Sequence, residues 1–392
     1  MPSKTTTRPL LLILILWSAG LGAAMQFAKV TVSLEGLRAA YNGSDTVLGL
    51  MLSSISFLGV LLGLVAGLLV ASYGFRRMLL WALFGGGALS VVQAFLPPVE
   101  AFMLSRLLEG MSHLGIVVAA PTLIALIAPE NLRFLAMTLW SAFFAVAYAL
   151  TTAIAPLIIA NFGASGVFTA HGIFMAVIGI LVLRNLPSGT AERVPFPPFS
   201  EIMQRHWAAY RSPYQFAPGA VWLFYTCTFV SVITVVPPLL TEFERTVLVP
   251  LLPIAGIASS FTIAASLLRF FSAVRVLLIG LSCALAFSLS GFILPLSGWM
   301  LIGLFASMGM IQSATFAEIP ELNKTANDQA LANGAMSQMG NLGNLISTPI
   351  MFALFSAFGT WSIYGMLSVC FGTAIAVHLF LTALRRKEAM GG

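Results

Sequence analysis

The chain has 392 residues, of which 59% are hydrophobic and only 8% are charged, and its formal net charge is +6. A water-soluble domain carries about 25% charged residues, so this composition excludes a chain that covers its own surface in water. The basic excess does not form a nucleic-acid patch, because it is dispersed over short segments between apolar runs, as the positive-inside bias of membrane proteins requires.

A membrane span needs about 20 mostly apolar residues, and the chain divides into twelve such runs. The first half gives 9–32, 46–70, 78–96, 101–128, 134–160 and 166–186; the second gives 216–240, 247–268, 274–296, 299–319, 331–357 and 361–384. Lys4 and Arg8 before an apolar run imitate a signal peptide, but the spans that follow make it an uncleaved first span. An even span count puts both termini on one side. With the termini inside, fifteen of the nineteen basic residues fall in inner segments, three (Lys29, Arg38, Arg245) fall outside, and Arg106 lies within a span. A missed or invented span would erase this asymmetry, so it supports the count and the cytoplasmic termini together.

The one long interruption, 187–215, separates an N-terminal bundle (1–186) from a C-terminal bundle with a short tail (216–392). It opens with Pro187-Ser188-Gly189, passes Pro195-Phe196-Pro197-Pro198, and then reads as an amphipathic surface helix, 199–211, with Trp207 and Tyr210 suited to the membrane interface. Six spans, an inner linker and six more spans imply two parallel halves related by an axis along the membrane normal. The expected class is all-α: a polytopic membrane protein of two six-helix bundles.

The loop between spans two and three contains Gly67, Ala71, Gly74, Arg76 and Arg77. This resembles the signature loop of the major facilitator superfamily, in which a glycine, an aspartate four residues on, a second glycine and basic residues follow in order. Ala71 stands where that family has its aspartate, the residue that pairs with neighbouring helices to hold the outward-facing state; the resemblance implies the fold without that latch. Span four adds Arg106, Glu109 and Gly110, similar to the family pattern of arginine, two residues, usually glutamine, then glycine. The loop between spans eight and nine keeps Arg269 and Arg275. Span five around Pro156 lacks the glycine-rich run of the family's drug–proton antiporters.

Charges inside a span are expensive and tend to face a cavity or a partner. Arg106, Glu109 and His113 are spaced three and four apart and share one face of span four. Two readings fit: an internally neutralised pair that fixes packing, or a pathway face on which Arg106 attracts an anion while Glu109 and His113 carry protons. Lys29, with Gln26 one turn earlier, either snorkels to the outer headgroups or joins this face. The family resemblance, which puts spans one, four, seven and ten around the pathway, favours the latter. Span seven offers Tyr225 with Thr226, Thr228, Ser231 and Thr234 before Pro237-Pro238; span ten offers Gln312, Ser313 and Thr315. Span eleven, rich in Gly, Asn and Ser from Asn333 to Asn344, reads as close helix packing. Gly85-Gly86-Gly87 lies inside a span and is packing or a flexure.

The three cysteines sit singly in apolar runs, and His171, His206 and His378 fall in span six, the linker and span twelve without metal-ligand spacing. The sequence carries no HExxH, Walker or GxSxG motif, so neither an enzyme nor a cofactor is expected. The expectation is a secondary transporter in the inner or plasma membrane, monomeric and working by alternating access. Two cations against one carboxylate favour a small organic anion as cargo. Protons are the expected coupling ion, since one charge crossing 100 mV supplies about 2.3 kcal/mol. The alternatives are a proton-coupled exporter of hydrophobic compounds and, from another class, a non-transporting receptor or assembly partner.

Overall fold

The computed structural model describes residues 9–63, 65–188, 195–196 and 198–391. Lys4, Arg8, Gly189, Arg193 and Pro197 lie outside the described residues. Among the described residues, eleven helices are long and apolar enough to cross a membrane: Pro9–Val32, Asp45–Leu62, Phe75–Ala94, Val99–Ile127, Phe143–Asn185, Phe216–Val235, Glu244–Leu267, Ala273–Ser290, Gly298–Leu322, Asp328–Phe358 and Thr360–Glu388.

The 43-residue helix Phe143–Asn185 would run about 65 Å at 1.5 Å per residue, roughly twice the hydrocarbon thickness. It breaks at Gly163, whose φ of 62° and ψ of −167° are non-helical, and so contributes spans five and six. The described residues therefore form twelve transmembrane helices in two six-helix bundles, numbered here span one to span twelve in the order given. Gly359, between spans eleven and twelve, has nearly the same backbone (φ 66°, ψ −155°). This region of φ/ψ is essentially reserved for glycine, so the same turn recurs at the equivalent place in each half.

Helix starts follow capping chemistry. Ser44, Ser272, Ser297 and Thr325 each accept a hydrogen bond from the backbone N–H three residues on, satisfying a donor that has no intrahelical partner. A short amphipathic helix, Leu34–Tyr41, follows span one, and the Tyr41 hydroxyl donates to the Pro97 carbonyl at 2.7 Å.

The chain divides by packing into two units. The first comprises residues 1–42 and 65–197, the second 43–64 and 198–392. In the first unit, spans one, three, four and six and the helix Glu130–Ser141 surround an apolar core that includes Leu16, Leu79, Leu83, Ile116, Leu123, Ala136 and Met175. In the second, residues 43–64 of span two pack on span eleven. A Cβ on Gly59 would come within 2.2 Å of the Asn341 amide, so only glycine permits that approach. Gln338 Nε2 donates to the Val60 carbonyl at 2.5 Å, and the Tyr210 hydroxyl donates to Gln338 Oε1 at 2.8 Å. The linker helix Phe199–Arg211 is thereby tied to spans two and eleven. Arg211 stacks over Trp207 at 4.6 Å on the same helix.

Candidate functional site

Four helices of the first unit each bring polar residues three positions apart to the interior: Gln26 and Lys29 on span one, Ser90 and Gln93 on span three, Arg106 and Glu109 on span four, and Phe168 (through its carbonyl) with His171 on span six. Helical periodicity stacks positions i and i+3 on one face, so each helix contributes a coherent patch. The packing of the four patches makes one network.

Glu109 is its centre. Lys29 Nζ donates to Glu109 Oε1 at 2.6 Å, while Arg106 Nη1 and Gln93 Nε2 (3.0 Å) donate to Oε2. Lys29 also donates to Ser90 Oγ at 2.8 Å, and its ammonium lies 5.3 Å from the Phe168 ring centroid. Gln93 donates as well to Ser105 Oγ at 3.0 Å, and Ser105 donates to the Phe102 carbonyl. Lys29 is 1% exposed, and Arg106 and Glu109 are fully buried. Ions taken out of water are tolerated only when they are paired and hydrogen-bonded, and this carboxylate meets that condition on both oxygens. With both imidazoles neutral, the two cations and one carboxylate leave an excess of one positive charge.

Ser90 links this network to His171. His171 Nε2 lies 3.0 Å from the Gly22 carbonyl, which can only accept, so Nε2 carries a hydrogen. Ser90 Oγ lies 2.9 Å from both the Phe168 carbonyl and His171 Nδ1, and it has one hydrogen for the two. When that hydrogen goes to Nδ1, His171 is a neutral imidazole. When it goes to the carbonyl, Nδ1 must donate to Oγ and the ring is an imidazolium. One hydroxyl rotation therefore distinguishes the two protonation states of a histidine next to Lys29.

His113 sits one turn beyond Glu109. Its Nδ1 lies 3.1 Å from the Ala23 carbonyl and so carries a hydrogen, and its ring meets Phe27 edge-on at 5.1 Å. Gln26 does not touch the ions; it donates to Ser112 Oγ at 2.9 Å, and Ser112 donates to the Ala82 carbonyl. A Cβ on Gly86 would lie 2.2 Å from Ser112 Oγ and 2.8 Å from Gln26 Nε2, so that glycine makes room for the bond. The amide oxygens of Gln26 and Gln93 are buried and accept from no described residue.

In the second unit, the Tyr225 hydroxyl donates to Gln312 Oε1 at 3.2 Å, joining spans seven and ten. The phenol ring stacks on Trp222 at 4.4 Å. Of the loop residues, Gly74 adopts φ 100° and turns the chain between span two and span three. Arg76 donates through Nε to the Leu186 carbonyl (2.7 Å) and through Nη2 to the Leu183 carbonyl (3.0 Å), closing the end of span six. Arg77 is exposed, and Gly67 lies in a helix with nothing near its Cα hydrogens.

The structure thus brings Lys29, Arg106, Glu109 and His113 into one neighbourhood and sets Gln26 beside it. Ser90, Gln93 and His171 belong to the network although nothing in their spacing links them to span four; Ser105, beside Arg106 on span four, joins it through Gln93. The signal available was weak: a histidine and a glutamine inside spans whose charged residues, Arg76, Arg77 and Arg184, lie at one end.

The family model for the Major Facilitator Superfamily matches residues 12–322. A bacterial homologue of the human lysosomal transporter Spinster, solved in an inward-facing, unoccupied conformation, is similar at 14% identity. The match has a TM-score of 0.70 and covers 97% of this chain and 96% of that one. The human organic anion transporter MFSD10 (TETRAN) is similar at 16% identity and a TM-score of 0.70, over 95% of this chain and 100% of that one. No curated protein gave a significant match. With the family model matching well over half of its length, on twelve spans and the loop and span-four motifs, this chain belongs to the major facilitator superfamily of transporters.

Proposed function

We propose that this secondary transporter moves a small organic anion by alternating access and couples that movement to protons. The observation that carries the reading is the single buried carboxylate, Glu109, shared by Lys29 and Arg106. Glu109 is the internal counter-ion that a cargo anion would replace. A proton on Glu109 removes its charge and frees the two cations to hold the cargo carboxylate; release of that proton restores the internal pairs and expels the anion. Proton and anion then travel together. His113 and His171 are the adjacent groups through which the proton would arrive.

The similarity to a human organic anion transporter supports the cargo class at the level of fold alone. In this reading the chain is a monomer of the inner or plasma membrane with both termini cytoplasmic, working by alternating access. Export of hydrophobic compounds is the second reading. It is favoured by an apolar groove of about 600 Å³ between spans seven, eleven and twelve, lined by residues such as Phe224, Phe358, Trp361 and Met366.

The test is purified protein in liposomes, offered a panel of labelled organic anions and amphipathic cations under imposed pH gradients. Anion uptake driven by an inward proton gradient, lost in Arg106→Ala and Lys29→Ala and no longer gradient-driven in Glu109→Gln, is the expected result. Uptake that survives the double alanine variant overturns the anion reading, and movement of the cations alone favours the exporter.

A further inference from the structure

Span ten and span twelve carry a second buried ionisable pair, far from the first in sequence and in the other packing unit. Glu318 and His378 are both fully buried, with His378 Nε2 3.4 Å from Glu318 Oε1. Apart from this approach, neither carboxylate oxygen and neither ring nitrogen has a hydrogen-bond partner among the described residues. This is the reverse of Glu109, whose two oxygens receive three donors. A carboxylate with no donor in an apolar interior has nothing to replace its hydration.

The surrounding groups do not supply the missing donors. On span twelve, the charge of Arg385 reaches Glu318, but its N–H groups are spent elsewhere: Nη1 donates to the Pro213 carbonyl and Nη2 to Thr382 Oγ1, both at 2.8 Å. Thr382 in turn donates to the His378 carbonyl. Glu321, one turn past Glu318, accepts from the Ala273 backbone N–H at 2.6 Å and caps span nine; it adds negative charge to the vicinity. Tyr214 lies beyond Arg385, at the start of span seven. Span seven, which packs on both helices, contains no charged residue; span eight, packed on span ten, has only Glu244 and Arg245, in its first turn, span nine only Arg275, in its first turn, and span eleven only Asp328, at its start.

From this arrangement we propose that Glu318 and His378 form a proton-binding site that holds one proton between them, a site distinct from the Lys29–Arg106–Glu109 network. Two of the pair's states are electrically neutral: protonated carboxyl with neutral imidazole, and carboxylate with imidazolium. Both hold one proton, and the 3.4 Å approach lets the proton belong to the pair rather than to either residue. Losing it leaves a bare buried carboxylate; adding a second leaves a bare buried imidazolium. The proton is therefore retained until span ten or span twelve moves and admits water or a cation. This goes beyond the proposed cargo and does not depend on it, since the site would bind a proton whatever the first unit carries.

The experiment uses the full chain in lipid nanodiscs at about pH 8, where a free glutamate and a free histidine are both deprotonated. Infrared spectroscopy reads the carboxylic-acid C=O stretch, and nitrogen NMR of labelled histidine reads imidazolium. The expected result is one proton signal, either a buried acid band or one imidazolium, abolished by Glu318→Gln and unchanged by Glu109→Gln. Folding then takes up that proton, so the folding equilibrium constant of the wild type falls about tenfold per pH unit above about pH 7 relative to Glu318→Gln. Should Glu318→Gln fail to fold, His378→Gln and the wild-type spectra carry the test: an acid band that persists in His378→Gln is expected, because the carboxyl must then keep the proton alone. Wild-type spectra at about pH 8 with neither acid band nor imidazolium overturn the proposal. Loss of anion uptake in Arg106→Ala with this signal intact concerns the cargo reading alone.

Discussion

Replacing Glu109 by glutamine leaves Lys29 and Arg106 buried with no anion between them. The excess charge in the buried network rises from one to two, and the new amide NH2 must face a donor, either the Lys29 ammonium or the Arg106 and Gln93 N–H groups. Removing one member of a buried pair costs about 3–5 kcal/mol. Unfolding entropy is about 2.1 cal/mol/K per residue, so over the 392 residues of the chain that loss lowers Tm by about 4–6 °C. Lys29→Met acts differently, because Glu109 keeps Arg106 and Gln93 and the network becomes neutral; its effect should stay within about 1.5 kcal/mol, the range of an ordinary hydrogen-bond loss. The double variant Lys29→Met/Glu109→Gln returns the charge to one and should be more stable than the two single effects added, by about 1–3 kcal/mol. Thermal unfolding followed by tryptophan fluorescence in nanodiscs measures the cycle. Glu109→Gln and Lys29→Met with equal, additive costs would refute the view that one carboxylate neutralises both cations.

Three further expectations follow from geometry. Gly163→Ala meets no steric contact, so its cost is backbone alone, about 1–3 kcal/mol for an L-residue in that φ/ψ region; Gly359→Ala should match it, and a wild-type Tm in either variant would contradict the recurring turn. Arg76→Ala removes two hydrogen bonds to the last carbonyls of span six and should destabilise by about 1–2 kcal/mol, whereas the exposed Arg77→Ala should fall within about 0.5 kcal/mol. Burial pushes the Tyr210 phenol up to about 12 from its ordinary 10, so the hydroxyl keeps the hydrogen it donates to Gln338. A folded value above the unfolded one means that this contribution is complete below about pH 10 and is lost as pH rises through about 12. Tyr210→Phe should lose about 1 kcal/mol at neutral pH and flatten the alkaline stability profile over that window, as read by urea or thermal melts at each pH.

The loop motif takes on a sharper physical meaning in the structure. Ala71 offers no carboxylate for the family's ion-pair latch, yet two neighbours in the motif have defined work: Gly74 turns the chain at φ 100° and Arg76 closes the end of span six. Contacts through Gln338 hold span two to span eleven and to Tyr210 of the linker helix. These are neutral hydrogen bonds, which break and re-form without separating charge.

Much of this was legible from composition and order alone. An apolar run of a given length and a basic residue at its end are local properties, and local properties survive without knowledge of neighbours. Arg106 and Glu109 could be paired on paper because three residues of one helix define a face. The merging of spans five and six into one helix with a single glycine break also fits the two runs read from the sequence. What the sequence did not reveal is how each helix is rotated against the next. That rotation brings Lys29 to Glu109 rather than to the headgroups, draws Ser90, Gln93 and His171 into the same network, and packs residues 43–64 of span two on span eleven. It also sets Glu318 against His378, sixty positions along the chain, with no donor between them. Packing of side chains from several helices fixes these rotations, and the twelve spans are too uniformly apolar for their faces to declare it. The chain's class and the centre of its site were therefore written in one dimension; which polar groups meet, and which buried carboxylate goes without donors, was decided only in three.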